Sequence, residues 1–276
     1  MSLTFICMQN NLKVRSHKIG LNMKEKIKSN IEWKKWGEID PLFGVASWNN
    51  KNKNGSDPWT DEDFYNLGYS DWIDILKHWE LYGVNKSNCL EIGCGAGRIT
   101  KHLPSYFREV YAIDVSEKMI EYAQKHMINN SVSFYISNGA SIPLNDHSVF
   151  SVFSTHVFQH LDSISVARNY FKEIARVIIP GGTFMIHLPI YRWPSNRKLF
   201  TLQYSLIKRV GDIKANLSRL LLQLGIGRPI MRMLSFSIDF FYSELQQYGF
   251  EEIELSIFTM KSNNDTHPFI FARRKT

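Results

Sequence analysis

The sequence has few cysteines and no long apolar run. Its three cysteines, Cys7, Cys89 and Cys94, are too few and too irregularly spaced for a disulfide framework or a zinc site. No stretch approaches the roughly 18 consecutive apolar residues that a membrane-spanning helix needs. Residues 1–20 lack the succession of a basic region, an apolar region and small residues that defines a signal peptide. We therefore expect a reduced, cytoplasmic protein that holds no metal.

The composition excludes a largely disordered chain. Hydrophobic residues make up 44% of the 276 residues and charged residues 21%, which is ample apolar material for a core. The length fits one large domain or two small ones. The sequence divides into four parts: an aromatic-rich N-terminal extension or lid (1–80), a core (81–190), a basic helical insert (191–240) and C-terminal elements that complete the core (241–276).

Acidic residues are scarce between 191 and 235, a stretch called the basic segment below. It holds nine lysines and arginines against a single acid, Asp212, and so accounts for the whole formal net charge of +7. Its apolar residues recur at three- and four-residue steps, which predicts one or two amphipathic helices divided near Gly211. The charge favours an acidic substrate, a membrane surface or nucleic acid, and does not choose between them.

Short apolar runs alternate with helical periodicity from 87 to 189. Strand–helix alternation at these lengths predicts an α/β fold with a doubly wound parallel sheet. A further helix ending at Gly249 and two more strands follow. The predicted strands are 89–92, 110–113, 132–136, 149–153, 183–188, 252–258 and 269–272, and the predicted helices are 97–103, 116–127, 166–179 and 243–248.

Six of the seven tryptophans lie in the first 80 residues. They pack either in the core or as a lid over a pocket. Thr60 followed by Asp63 resembles a capping box, which predicts that a helix begins there. Residues 38–44 contain Asp40-Pro41 and a glycine, which predicts a loop.

One short segment carries glycines at alternate positions between a predicted strand and a predicted helix. Gly93, Gly95 and Gly97 would let the backbone approach a ligand closely, and the helix would direct its free N–H groups toward that ligand. The dinucleotide fingerprint has its third glycine where this sequence has Arg98, so a nicotinamide or flavin fits poorly. Glu91 favours instead a cationic ligand with an amino-acid end.

Polar residues also follow the next two predicted strands. Asp114 comes 17 residues after Gly97, where an acid reaches the ribose hydroxyls of a nucleoside; alternatively, it caps the helix that begins near Ser116. Asn138 and Gly139 follow the third strand. There the amide could bind an adenine edge, or the pair could form only a turn.

Together these segments resemble the class I S-adenosylmethionine-dependent methyltransferases. The resemblance rests on residues 91–98 (E-x-G-C-G-x-G-R), residues 114–119 (D-x-S-x-x-M) and residues 176–182 (R-V-x-x-P-G-G). It covers residues 87–189 and the C-terminal strands. It implies a Rossmann-like, seven-stranded sheet whose last strand runs antiparallel between its neighbours, and S-adenosylmethionine as cofactor.

The resemblance also assigns cofactor contacts. Glu91 and the loop of Gly93, Gly95 and Gly97 would hold the methionine part, and Asp114 the ribose hydroxyls. The residues implied to surround the adenine or border the cofactor are Val115, Met119, Asn138, Gly139, Ala140 and Thr155. Many relatives have aspartate at the position of Asn138, and an amide oxygen can still accept a hydrogen bond.

The implied reaction is direct displacement at a sulfonium methyl group. The protein then mainly aligns the nucleophile and, where necessary, removes its proton. In this family the residues after the fourth strand lie at the methyl end of the site, which makes His156 and His160 the candidate catalytic bases. Each of them could instead be purely structural. Tyr191 and Arg192 could also line the substrate pocket.

Missing motifs narrow the methyl acceptor. After the fourth strand there is neither the Asn/Asp-Pro-Pro-aromatic tetrad of nucleobase amine methylation nor the cysteine of cytosine-C5 methylation. No acidic cluster indicates a magnesium site. We therefore expect a small-molecule, sugar or lipid-like acceptor and no DNA.

The basic segment leaves several functions open. It could lie on an anionic membrane, cover a bound acidic metabolite as a lid, form a dimer contact, or be a solvated helical cap that buries its leucines. RNA binding is not favoured because aromatic residues are few there. A small-molecule methyltransferase is therefore weighed against a non-catalytic cofactor-binding protein and an RNA methyltransferase recruited by this segment.

Overall fold

The computed structural model describes residue 27, residues 29–127, 131–190, 209–214, 216–222 and 233–276, and the single residues 224, 226, 229 and 231. Tyr191, Arg192 and the first half of the basic segment lie outside the described residues. In the described ranges, no helix has both the length and the apolar character needed to cross a membrane.

The described helices and strands alternate as predicted. The α-helices are α1 (Ser29–Ile39), α2 (Pro41–Val45), α3 (Asp61–Tyr82), α4 (Glu117–His126), α5 (Ile164–Val177) and α6 (Ile238–Gln247), with further helical turns at 209–214 and 216–222. The strands are β1 (Asn88–Ile92), β2 (Glu109–Asp114), β3 (Val132–Ile136), β4 (Val149–Ser154), β5 (Ile178–His187), β6 (Phe250–Thr259) and β7 (Thr266–Arg274).

The seven strands form one sheet in the order β3-β2-β1-β4-β5-β7-β6. Strands β1 to β5 are parallel, and β7 lies antiparallel between β5 and β6. This confirms the predicted seven-stranded α/β fold with its last strand antiparallel. Because β7 runs opposite to the parallel strands, its first residues lie at the edge where the other strands end, which is called the carboxyl edge below.

Apolar side chains pack against both faces of the sheet. Helices α5 and α6 cover one face, where Phe171 and Leu245 are buried. Helix α3 covers the other face, where Trp72 and Trp79 pack against Phe153. Thr60 caps α3 by accepting a hydrogen bond from the Asp63 amide, at 3.1 Å, as predicted.

Three local predictions are wrong. Residues 97–103 form turns that lead into a short 3-10 helix, Leu103–Ser105, and not an α-helix; Pro104 has no N–H group and disfavours helical backbone at the residue before it. Residues 38–44 are helical on either side of Asp40, which caps α2 by accepting the Phe43 amide. The helix also runs through Gly211, where a glycine costs only about 1 kcal/mol.

The described part of the basic segment exposes three of its six described leucines. An apolar stripe with side chains 52% to 67% exposed consists of Val210, Ile213, Leu217, Leu220 and Leu224. Arg219 is only 5% exposed and pairs with Glu32 and Asp162. The hypothesis of a solvated cap that buries its leucines is therefore wrong for these residues, since an arginine occupies the buried side.

Candidate functional site

A cavity of about 410 Å³ opens at the carboxyl edge of the sheet. Its walls come from the ends of β1, β2 and β4, from α1 and the residues after α2, and from residues 260–263 between β6 and β7. Ligands of open α/β sheets bind at this edge, outside the ends of the strands. The fold therefore gathers residues that are distant in sequence around one site.

The glycine loop after β1 forms part of the cavity wall. Gly93 and Gly95 have φ angles of +76° and +53°, a left-handed backbone that favours glycine. A Cβ atom at Gly95 would lie 2.5 Å from a methyl group of Val45, and one at Gly93 would lie 2.2 Å from a methyl group of Val157. Side chains are thus excluded at both positions, which leaves the backbone facing the cavity.

Asp114 at the end of β2 fixes this loop. Its Oδ2 accepts the Gly95 amide at 2.9 Å, and its Oδ1 accepts the Ser116 amide at 2.8 Å. Burial raises the pKa of Asp114 above its usual range, while these amide hydrogen bonds oppose the rise. Each carboxylate oxygen retains a lone pair for a ligand. The alternative role as a helix cap is met only in part, since the Ser116 amide belongs to the N-cap residue of α4 and not to the helix itself.

Glu91 lies inside the same wall and is the second-to-last residue of β1. The Thr100 hydroxyl donates to its Oε2 at 2.6 Å. Burial raises the pKa of Glu91 to about 7, an effect that the Thr100 hydroxyl and Arg98 oppose and Asp114 reinforces. A cationic group entering the cavity would favour the charged carboxylate.

A buried ion pair joins the N-terminal extension to the glycine loop. Arg98 donates to Asp71 of α3, and the Ser262 hydroxyl donates to the other oxygen of Asp71. Both charged side chains are buried and line the cavity. The pair therefore stabilises the wall without adding net charge to the site.

Three histidines meet beside the cavity, each at the carboxyl edge. His156 follows β4 and lines the cavity; His187 ends β5 and His267 begins β7, and both are buried. The His156 ring centroid lies 4.5 Å from that of His187 and 5.2 Å from that of His267. We call these three residues the histidine cluster.

The imidazoles of the histidine cluster are uncharged at neutral pH. Burial lowers the pKa of all three, to about 3 for His187 and well below the usual range for His156. The neighbouring imidazoles lower the pKa of His156 and His187 further, because a second proton would be repelled. The Asp265 and Asp71 carboxylates partly oppose the effect at His267.

Helix α1 covers the cavity and is fastened to its rim. The Ser29 amide donates to Asp162 at 2.9 Å, and the Asn30 side chain donates to the Asn138 carbonyl at 2.8 Å. The Trp33 ring lies 4.9 Å from the His160 ring. The N-terminal aromatic residues therefore pack in both of the expected places. Those of α3 lie in the core, and Trp33 of α1 lies at the pocket.

Comparison with known families identifies the central part of the chain. Residues 90–186 match the family model of a methyltransferase domain, and they hold the glycine loop, Asp114 and the strands that order the cavity. Residues 90–186 are therefore a methyltransferase domain. Over these residues the match agrees with the family expected from the sequence.

Relatives of this methyltransferase domain match over part of their length. Malonyl-(acyl-carrier protein) O-methyltransferase of Hahella chejuensis is 34% identical over 108 residues, which are 37% of this chain and 38% of the relative. The enzyme of the same name from Bacillus cereus is 32% identical over 107 residues, 37% of this chain and 39% of the relative. This chain thus spans less than two fifths of the length of these relatives.

A solved methyltransferase shares the fold. The crystal structure of magnesium protoporphyrin IX methyltransferase from Synechocystis, with bound S-adenosylhomocysteine, is 17% identical in sequence and superposes with a TM-score of 0.51. The alignment covers 77% of this chain and 86% of that chain. It extends the likeness in fold beyond residues 90–186.

The residues of the methyltransferase domain fit S-adenosylmethionine. A backbone cradle without side chains lies at Gly93 and Gly95, and a carboxylate that would pair with an ammonium group lies at Glu91. The hydroxyl of Thr155 is buried and has no hydrogen-bond partner among the described residues. The volume falls in the range of small-molecule sites, about 300–1,000 Å³.

Most residues predicted for the site do line the cavity, although their roles stay predictions. Gly97, Asn138 and Ala140 do not line it. Asn138 closes its own turn, since its Oδ1 accepts the amides of Ala140 and Ser141 at 2.8 Å. Those that line it are Glu91, Gly93, Gly95, Asp114, Val115, Met119, Gly139, Thr155, His156 and His160.

The sequence did not predict His187, His267 or the pairing of Arg98 with Asp71. His187 lies near the end of a predicted parallel strand, the same position that singled out Asp114, and could have been found by that rule. His267 begins a strand, and only the antiparallel direction of β7 brings it to the carboxyl edge. Asp71 lies in a helix without any motif around it.

Proposed function

We propose that this chain transfers a methyl group from S-adenosylmethionine to a small, lipid-like acceptor. The observation that carries the proposal is a single cavity bordered by Glu91, Gly95 and Asp114 and also by His156 and His160. Strands β2, β1 and β4 are neighbours, so the ends of β2 and β4 lie about 10 Å apart at a strand spacing of about 4.8 Å. That separation gives room for a cofactor and an acceptor side by side.

We propose that the residues at the cofactor end of the cavity act by positioning S-adenosylmethionine. Bound S-adenosylmethionine supplies an electrophilic methyl group on its sulfonium. Glu91 holds the ammonium group, Asp114 holds the ribose hydroxyls, and Val115 and Met119 pack against the adenine. A cytoplasmic, reducing location belongs to this proposal, and the free, buried thiols of Cys89 and Cys94 support it.

The acceptor end is proposed to lie beside His156 and His160. The amide nitrogen of Gln159, which can only donate, lies 2.9 Å from the His160 Nε2, so the lone pair of this imidazole nitrogen accepts that hydrogen bond. We assign proton removal to His160 when the nucleophile has a proton to lose; the nucleophile then replaces Gln159 as the donor to Nε2, and Nε2 takes its proton. His156 is flanked by two other imidazoles that repel a proton, so we assign to it a positioning role.

The apolar stripe supports a lipid-like acceptor. Its five side chains are exposed between residues 210 and 224, a stretch that also has Lys214 exposed and follows the exposed Arg209. An apolar face with basic neighbours binds the surface of an anionic membrane. Met233, largely exposed, and Met231 line the cavity on the same stretch of chain. We infer that an acceptor enters from a membrane surface past these methionines.

We expect ligand affinity to rise with pH through Glu91. Its carboxyl group is mostly protonated below about pH 7, and a bound ammonium group favours the charged form, so binding releases a proton. Between about pH 5 and pH 7 the affinity for S-adenosylhomocysteine should increase by up to about tenfold per pH unit, and above that range it should level off. Calorimetry at each pH checks this, and Glu91→Gln should give a weak, flat profile. A wild-type profile as flat as that of Glu91→Gln contradicts the role of Glu91.

Methyl transfer is tested with cofactor that carries a radiolabelled methyl group. The protein is incubated with this cofactor and a membrane-containing cell extract, and the products are separated into organic, small-polar, RNA and protein fractions. We expect label in the organic fraction. Label in the small-polar fraction contradicts the lipid-like acceptor and favours a sugar or acidic metabolite, and label in RNA favours the recruited RNA methyltransferase. No label with intact cofactor binding favours the non-catalytic alternative.

Two variants separate the proposed roles. His160→Gln should lower labelling at least about tenfold while S-adenosylhomocysteine affinity is kept. Changing Leu217 and Leu220 to glutamine should lower organic label without changing cofactor affinity. Ile257→Gln is the matched control, since Ile257 is similarly exposed on β6. Equal losses in the control and in the stripe variant would contradict membrane delivery.

A further inference from the structure

The histidine cluster has the composition of a metal site. One ring nitrogen from each of His156, His187 and His267 lies within 4.8 Å of the other two. A tetrahedral zinc ion with Zn–N bonds of about 2.0–2.1 Å holds its nitrogens about 3.3 Å apart. To hold such an ion, the three nitrogens would approach one another by up to about 1.5 Å.

The cluster leaves a buried nitrogen without a partner. The Nδ1 of His187 is fully buried and accepts or donates no hydrogen bond among the described residues. A buried polar atom left unpaired costs about 1–3 kcal/mol, and such atoms are rare in folded proteins. At His267, Nε2 has only a long contact of 3.5 Å with the amide nitrogen of Asn263. Hydrogen bonds within the fold therefore do not account for these imidazoles.

The backbone and the charges around the cluster also suit a cation. His156 has a φ angle of +57°, a left-handed conformation that is uncommon for residues other than glycine and costs about 1–3 kcal/mol. Arg98, whose charge acts on His156 and His267, forms an ion pair with the Asp71 carboxylate.

We propose that His156, His187 and His267 bind one divalent transition-metal ion, with zinc as the best match. Imidazole nitrogens suit zinc, copper, nickel and iron, and three histidines leave at least one position for water or a substrate oxygen. His156 is the ligand that borders the cavity, so the ion would fix the wall at the proposed acceptor end. The site does not depend on methyl transfer.

The test uses the full chain without an affinity tag and without cofactor. Cobalt(II) chloride is titrated into the wild type, and the visible d–d absorption of a four- or five-coordinate site is recorded. We expect one ion per chain. X-ray absorption of the zinc-loaded wild type should then count three imidazole ligands. Absence of the cobalt spectrum, or fewer than three imidazoles, overturns the proposal.

Variants locate the bound ion. His187→Gln and His267→Gln should each weaken cobalt binding about 100-fold or more. Loss of an outer-shell partner of a metal ligand costs about 10–100-fold in metal affinity, and loss of a direct ligand should cost at least as much. His78→Gln is the control, because His78 stacks on Phe258 at the surface of α3 and does not line the cavity. Circular dichroism shows whether each variant folds. If a variant does not fold, the cobalt titration and the X-ray absorption of the wild type decide the proposal. Unchanged cobalt affinity in folded variants overturns the proposal. Since cofactor is absent throughout, failure here leaves the proposed methyl transfer intact.

Discussion

We expect Asp114→Ala to abolish measurable binding of S-adenosylhomocysteine. The variant removes the acceptor of the Gly95 and Ser116 amides, and with it the proposed partner of both ribose hydroxyls. A hydrogen bond to a charged group contributes about 1.5–3 kcal/mol. Loss of the two ribose contacts alone therefore lowers affinity about 100-fold or more. Calorimetry with S-adenosylhomocysteine measures the change.

Two further variants separate this effect from unfolding. Asp114→Asn keeps one acceptor oxygen and should retain part of the affinity. Glu109→Ala removes an exposed carboxylate at the opposite end of β2 and should bind as the wild type does. If Asp114→Ala, folded by circular dichroism, bound the ligand as tightly as Glu109→Ala, the assignment of the ribose site would be wrong.

We expect Arg219→Leu to release α1 from the rim of the cavity. Arg219 is buried and contacts Glu32 of α1 at 3.0 Å and Asp162 at 2.9 Å. Removing one partner of a buried ion pair costs about 3–5 kcal/mol, because the other charge stays buried without its counterion. Hydrogen exchange should show loss of protection at residues 29–39 and 216–222, and calorimetry should show weaker ligand binding.

A double variant distinguishes the charge from the packing. Arg219→Leu combined with Glu32→Leu removes both charges and should recover most of the lost protection, since buried ion pairs are often replaceable by apolar groups. Arg176→Leu is a control, as Arg176 is half-buried and pairs with Asp146 and Glu173 away from the cavity. Unchanged exchange at α1 in Arg219→Leu would show that the pair does not hold the helix.

The strands and the glycine loop could be predicted from the sequence because their causes are local. Apolar runs of strand length, separated by helical periodicity, define a doubly wound sheet. The loop could be placed because Gly93 and Gly95 need a left-handed backbone that other residues avoid. Asp114 followed from its position at the end of a strand. Each of these inferences depends on neighbours within about one turn or strand.

The errors come from contacts between distant residues. Periodicity in the basic segment identified two faces of a helix, and only the acids Glu32 and Asp162 decide that the face of Arg219 is buried. The histidine cluster likewise joins residues 156, 187 and 267 through the order of strands in the sheet. Local patterns place His156 and His187 at or after the ends of predicted strands, and only the order and direction of the strands bring His267 to them.

The position of β7 has a consequence for synthesis of the chain. β7 follows all the other strands in sequence, yet it lies inside the sheet between β5 and β6. Until Thr266 and the residues after it leave the ribosome, β5 is an unpaired edge made of largely apolar residues. Such edges pair readily with other chains. A nascent or truncated polypeptide that stops before Thr266 therefore lacks both the partner of β5 and His267, and is the form most prone to aggregate.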